Sequence, residues 1–469
     1  MKLSEKVETL QKELIENTQK LIRIKSTEKE AFENMPFGKG VQASLEFTLD
    51  LCNSLGFKTK NLNNHVGYAE IGSGEELIGI LAHLDVVPEG DLSTWKHPPY
   101  DAIIEDGKMY GRGTIDDKGP AMAAIYAMKA VLDSKILLKK RIRIIFGLNE
   151  ETHWKSINYY LEHEEIPSLA FTPDADFPVI HGEKGILVFN MNATFKEALD
   201  DGGIEILSIK GGNRPNMVPD YAEATLIENK AFKHILDAYQ DEKDIKIDYE
   251  KDNDHVTIKV HGISSHGAKP ETGVNAIAHL LSLLNLLDLK IGDLSNFIRF
   301  YEKHINTEVN GENIGCHLSD ELSGPLTFNV GTINCDQEHI SLGVNVRYPI
   351  TYTSEDVYSG IQDVLNTTLY NDKNYITVEA KDHMKPIYFE KDHHLIQSLM
   401  AVYKKHTGDS SEPLTIGGGT YARSMPNAVA FGPLLKHRKE TAHQANEHIY
   451  IDDLILASKI YADAIEALL

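Results

Sequence analysis

The chain has 469 residues, with 47 Lys and Arg against 70 Asp and Glu, a formal charge of −23. That charge repels nucleic acid and anionic membrane surfaces, while 42% apolar and 25% charged residues describe a folded globular chain and exclude extended disorder. The length exceeds the roughly 250 to 300 residues at which single cores stop growing, so two domains are expected.

The first segment, MKLSEKVETLQKELIENTQKLIRI, alternates Glu and Lys on a helical period and has no apolar h-region, which predicts a surface helix and not a secretion signal. No stretch approaches the roughly 18 consecutive apolar residues of a membrane span. Cys52, Cys316 and Cys335 stand far apart, outside any zinc-finger spacing, and read as buried thiols of a reducing compartment. Cytoplasmic residence is the expectation.

From residue 58 to 171, short apolar runs alternate with helical segments: ELIGILAH, GPAMAAIYAMKAVLDS, RIRIIFGL, WKSINYYLEHE and SLAFTP. Such alternation implies βαβ units, hence an α/β domain with a mainly parallel sheet covered by helices. Residues 122–132 are apolar nearly all round, as a packed crossover helix requires, and Pro120 suits its first turn. The texture changes after DADFPVIHGEKG. Residues 186–382, with the strand-like runs ILVFNMNATF, HVTIKVHG and ISLGVNVRYP and the apolar helix GVNAIAHLLSLLNLLDL, read as a second α/β domain inserted into the first. Residues 383–469 return to helix, strand, strand and helix, so 1–185 and 383–469 are expected to form one catalytic domain.

Acidic and histidine residues stand where the apolar runs stop, and four such segments are expected at successive strand ends, outside which an α/β sheet opens its binding crevice. His83 and Asp85 share one side of an extended chain, which suits a ligand and the carboxylate that orients it. On its own the pair also describes a satisfied strand-end histidine beside an acid. Asp116 lies among Gly111, Gly113 and Gly119, and its two oxygens could bridge metals about 3.5 to 4 Å apart; an Asx-turn with a helix cap is the alternative. Adjacent residues of an extended segment point oppositely, so one glutamate can bind metal while the other faces the substrate; Glu151 is read as the ligand and Glu150 as the general base, with a pair of surface acids as the alternative. Asp174 and His443 complete a set of five ligands. The expected chemistry is metal-dependent hydrolysis, with zinc, manganese or cobalt all compatible with oxygen and imidazole donors.

With these residues in place the chain resembles, over its whole length, the PepV-type dipeptidases of the cocatalytic-zinc metallopeptidases, a family that includes carboxypeptidase G, aminoacylase and succinyl-diaminopimelate desuccinylase. The motifs are HLDVVP, YGRGTIDDKGP, NEE and PDADFPVIHGEKG. The resemblance implies two divalent ions, zinc or manganese, one held by His83, Asp116 and Asp174 and the other by Asp116, Glu151 and His443. It implies a cis peptide between Asp116 and Asp117, and a lid role for the insert. There, His266 in GISSHGAKP would polarise the scissile carbonyl, Asn216 would hold the oxyanion region and Arg347 the substrate carboxylate. Gly417, Gly418 and Gly419 of IGGGTYAR would approach the substrate C-terminus. The implied substrate is a small unblocked dipeptide, with N-acyl or N-succinyl amino acids as the competing class and a metal-stabilised binding protein as a third reading. The long insert leads to the expectation of a monomer whose lid histidine acts in cis.

Overall fold

In the computed structural model, which describes residues 2–196, 198–199, 201–371 and 375–469, helix Leu3–Ile22 buries Leu3, Val7, Leu10, Leu14 and Leu21 on the three-and-four spacing of an amphipathic helix. It belongs to the first of two units, which takes Met1–His181, Phe389–Leu414 and Gly419–Leu469; the second takes Gly182–Tyr388 and Thr415–Gly418. The sequence reading drew the inner bounds at 186 and 382. Pairing of Ile186 with Met384, and of Gly182 and Glu183 with Tyr388 and Ile387, carries the second unit a few residues further at each end.

The sheet of the first unit runs Lys58–Leu62, Val66–Gly72, Arg141–Gly147, Leu77–His83, Leu169–Thr172, Ala428–Ala430. The last four strands are parallel, and the first two join antiparallel. Every residue of Leu77–His83 is buried, as a central strand covered on both faces demands. Alternate residues feed two cores: Ile80, Ala82, Ile144 and Phe146 join one apolar cluster, while Leu81 and Ile145 join another. Over the first cluster lies helix Lys118–Asp133, buried along nearly its whole length because Leu3–Ile22 and Ile451–Leu468 pack on it in turn.

The second unit is built on an eight-stranded sheet, ordered Lys246–Asp252, His255–His261, Tyr221–Ile227, Glu205–Gly211, Thr327–Cys335, His339–Tyr348, Gly185–Thr194, Ile376–Met384. All its pairings are antiparallel, and Tyr221–Ile227 and His255–His261 alternate buried with partly exposed residues, the mark of a sheet with one covered face. The apolar helix Ala276–Asn285 supplies that cover. Both edge strands are rich in exposed charge, which blunts pairing with other chains. No helix among the described residues is long and apolar enough to cross a membrane.

Candidate metal centre

Three candidate ligands follow the carboxyl ends of parallel strands: His83 ends Leu77–His83, Glu151 follows Arg141–Gly147, and Asp174 follows Leu169–Thr172. Asp116 corrects the expectation of four. It closes a loop between the short strand Lys108–Tyr110 and helix Lys118–Asp133. That loop is tight: Gly113 holds φ +88°, and a Cβ on Gly119 would sit 2.1 Å from the Thr114 carbonyl oxygen. The Asp116–Asp117 peptide is cis.

Asp116 offers one carboxylate oxygen to each of two histidines. Oδ1 lies 3.0 Å from His83 Nε2, and Oδ2 lies 2.9 Å from His443 Nε2. Asp174 Oδ2 stands 3.7 Å from the same His83 nitrogen, and Glu151 Oε2 stands 3.0 Å from His443 Nε2. Two donor sets therefore share Asp116. Donor atoms of His83, Asp116 and Glu151 lie within 4.8 Å of one another, as do those of His83, Glu150 and Asp174.

Divalent cations fit these donors. Glu151 Oε1 is buried with no hydrogen-bond partner, an arrangement that costs about 1 to 3 kcal/mol unless something else binds there. Imidazole and carboxylate together are the donors of zinc and manganese sites.

Asp85 braces this set in two ways. Its backbone carbonyl lies 3.0 Å from His83 Nδ1, while its carboxylate accepts the N–H groups of Glu150 and Glu151 at 3.0 and 3.1 Å. The carboxylate itself is 3.5 Å from the His83 ring. On the other side the His83 N–H donates to Asp117 Oδ2 at 3.0 Å. Glu150 and Glu151 occupy a turn beyond the strand, not an extended segment, so their different neighbours arise from amides pinned by Asp85. Glu150 Oε1 accepts from the Trp154 indole N–H at 3.2 Å.

Burial works against the charge of Asp116, Glu150, Glu151 and Asp174. It pushes Asp174 up to about 7 with help from Asp116, and it raises Glu150 well above the carboxylate range and Glu151 less far. Asp116 goes the other way: burial opposes its charge, but hydrogen bonds from His443 and His83 outweigh it and hold the group far below its usual value. His83 is raised because Asp116 and Asp85 overcome its burial, and Asp116 with Glu151 likewise brings His443 to about 11. Without a metal, then, protons balance the charge that cations would balance.

A cavity of about 230 Å³ opens on this centre, lined by Asp116, Glu150, Glu151, Asp174, Glu440 and His443 among others, with Gly419 on its wall. A cavity of similar size, about 250 Å³, in the second unit is lined by Lys196, Glu205, Lys290 and Gln337, without a histidine.

The remaining candidates lie on the second unit, apart from Gly419. His266 is exposed on the two-residue strand Ser265–His266, paired with Met217–Val218, and the Gly267 N–H donates to the Asn216 carbonyl at 2.8 Å. A Cβ on Gly417 would lie 3.5 Å from that of Ala268, so Asn216, His266 and Gly417 share one corner of the unit. Gly418 follows in the same short segment. Arg347 is buried near the end of His339–Tyr348 and donates through Nε to Asn345 Oδ1 at 2.9 Å.

Sequence reasoning passed over Glu440, Tyr421, Arg112 and Glu447. Tyr421 is fully buried with an unpartnered hydroxyl, its ring 6.2 Å from that of His83. Arg112 and Glu447 form a buried ion pair at 2.6 Å. The only signal for that pair is Arg112 between two glycines of the YGRGT motif, since Glu447 is one acid among 70.

Comparison with known proteins fits this architecture. The model of peptidase family M20/M25/M40 matches residues 79–467. A Bacillus subtilis (strain 168) protein named "Putative dipeptidase YtjP" is 39% identical over 467 residues, covering 98% of each chain. A Staphylococcus epidermidis protein named "Putative dipeptidase" is 36% identical, covering 99% of this chain and 98% of its own. Among solved structures, human carnosine dipeptidase 1 superposes with a TM-score of 0.59 at 15% identity, covering 100% of this chain and 98% of its own. Aminoacylhistidine dipeptidase from Vibrio alginolyticus gives 0.58 at 15% identity over 97% and 96%; at such identities the likeness concerns the fold alone. By the family match and the near full-length relatives, this chain belongs to peptidase family M20/M25/M40 and is a hydrolase of peptide bonds.

Proposed function

We propose that the chain is a dipeptidase that uses two divalent ions, zinc or manganese, to hydrolyse unblocked dipeptides. The observation that carries this reading is Asp116, whose two carboxylate oxygens each face a different histidine at about 3 Å. His83, Asp116 and Asp174 would hold one ion, and Asp116, Glu151 and His443 the other. When bound, such ions acidify water and polarise a carbonyl oxygen. Glu150 takes the proton of the attacking water and passes it to the leaving amine. Asp85 keeps the Glu150 and Glu151 amides in place. His266, with Asn216 beside it, donates to the carbonyl oxygen as negative charge develops. Arg347 and the backbone of Gly417, Gly418 and Gly419 take the substrate carboxylate. The second unit thus serves as a lid.

A free α-amino group is favoured by the lining of the cavity. Glu440 is the one carboxylate of its lining given neither to an ion nor to proton transfer, and none of its described lining residues is Lys or Arg. An ammonium suits that carboxylate. The relatives named as dipeptidases point the same way.

The expected result is metal-dependent cleavage of free dipeptides. After chelation, separate re-addition of zinc and manganese should restore hydrolysis of free dipeptides but not of the same dipeptides N-acetylated, nor of N-succinyl diamino acids. Cleavage of the acylated compounds alone would move the chain to the deacylases.

We further take the chain to be a cytoplasmic monomer with its lid histidine acting in cis. The cytoplasmic assignment is supported by three buried cysteines, none of them bridged. Sedimentation equilibrium should fit a single chain. An obligate dimer, with activity regained on mixing His266→Ala and Glu150→Ala proteins, would overturn the cis arrangement.

A further inference from the structure

We propose that Glu447, clasped by Arg112, is a positioning residue that sets the geometry of Asp116 and His443 for ion binding; this rests on the metal reading above. Glu447 is fully buried. Its Oε1 accepts the N–H groups of Gly113, Ile115 and Asp116 at 2.9, 3.1 and 3.4 Å, and its backbone carbonyl accepts that of Gly111 at 2.9 Å. Oε2 takes Arg112 Nη1 at 2.6 Å. The same guanidinium donates to the Gln444 carbonyl, next to His443, and to the Pro88 carbonyl, each at 3.3 Å, and lies over the Trp95 ring.

One buried pair therefore ties the loop that carries Asp116 to the turn that carries His443, segments 331 residues apart in the chain. That turn needs holding. His443 sits at φ 62°, a region a histidine seldom keeps unless its surroundings hold it there, and Asn446, which tolerates that region better, sits at 64°. The Asn446 side chain adds a second tie, donating to the Thr94 carbonyl at 3.0 Å and accepting the Lys96 N–H. Mere cohesion does not explain the choice of residues, because a buried ion pair stabilises no better than well-packed apolar side chains of similar volume. Three amides converging on one carboxylate oxygen fix the path of the backbone up to Asp116, which apolar packing would not do.

The test is manganese titration by calorimetry of protein stripped with a chelator. Glu447→Gln keeps the shape and removes the charge, and should bind manganese about 10- to 100-fold more weakly, the range seen when partners of metal ligands are removed. KM for a dipeptide should stay constant while kcat recovers as manganese is raised. A residue of structural importance only would lower the melting temperature of metal-free protein and leave the affinity alone. Affinity within about threefold of the parent overturns the proposal, whatever the melting temperature. If Glu447→Gln does not fold, Arg112→Lys, which keeps the charge and loses the fork, is judged by the same threshold. A parent that binds neither manganese nor zinc overturns the metal reading itself, so the two failures are distinct.

Discussion

Replacing Glu150 by Gln should leave metal content unchanged and lower kcat for dipeptides by about 10²- to 10⁴-fold, the usual contribution of a positioned general base. The substitution keeps the size of the side chain and the contact of its terminal oxygen with the Trp154 indole, 3.2 Å away in the parent. The backbone stays pinned, because the Glu150 and Glu151 amides bond to Asp85 and not to either glutamate side chain. What is lost is a proton acceptor facing the cavity. In the metal-free protein burial raises this carboxyl above the ordinary range and bound ions would draw it back down, but in either state its ionised, active form gains population as pH rises. In the parent, kcat/KM should therefore climb with pH along an acid limb, and in Glu150→Gln the residual rate should lack that limb. Steady-state kinetics across pH, with metal counted by elemental analysis, decides the matter. A fall of less than tenfold at full metal content would remove Glu150 from the role of base.

The ease with which this centre was read differs from residue to residue for physical reasons. His83 was legible because the strand before it is apolar at every position, so a histidine that ends the run stands out against a buried sheet. The alternation of an extended strand, expected to turn Glu150 and Glu151 apart, does not reach them: the strand stops at Gly147 and Asp85 shapes the turn. The short ribbon of Ile103–Glu105, Lys108–Tyr110 and His448–Tyr450, which leads the chain towards Asp116, has three residues per strand, too few for a periodic signal. Glu447 was hard to see because, Arg112 apart, its partners are backbone amides, which leave no trace in the identity of other residues. The places of Asn216, His266 and Arg347 came only from family resemblance, since no local pattern distinguishes an oxyanion donor from any polar residue in a loop or strand.

Asp116→Asn should be the more damaging change, lowering kcat/KM by more than about 10⁴-fold, or roughly 5 kcal/mol of transition-state stabilisation. An amide keeps one acceptor oxygen but turns an NH₂ group toward the other donor set, where a cation or a protonated histidine must sit. Loss of a direct ligand to both ions should weaken their binding beyond the 10- to 100-fold typical of supporting residues. The metal-free protein should be affected far less, because two consequences oppose each other. Asp116 is depressed in the folded state, so it contributes stability above its unfolded value of 3.8 that is lost as pH falls, and the variant lacks this. Yet Asp116 also helps to raise Asp174 and Glu151, and its removal relieves that repulsion. Ion uptake separates the variant from the parent more sharply. In the parent, His443 at about 11 and Asp174 at about 7 hold protons that must leave before either can ligate, so affinity should rise with pH through about 7. Ligand present at 100 times its dissociation constant stabilises a folded chain by about 2.7 kcal/mol, enough to raise the parent's melting temperature by a few degrees. Asp116→Asn should show little or no such rise at the same manganese concentration. A variant that still gains the full rise, or that keeps parental turnover, would mean that Asp116 is not shared between two ions, and the paired donor sets built around it would have to be abandoned.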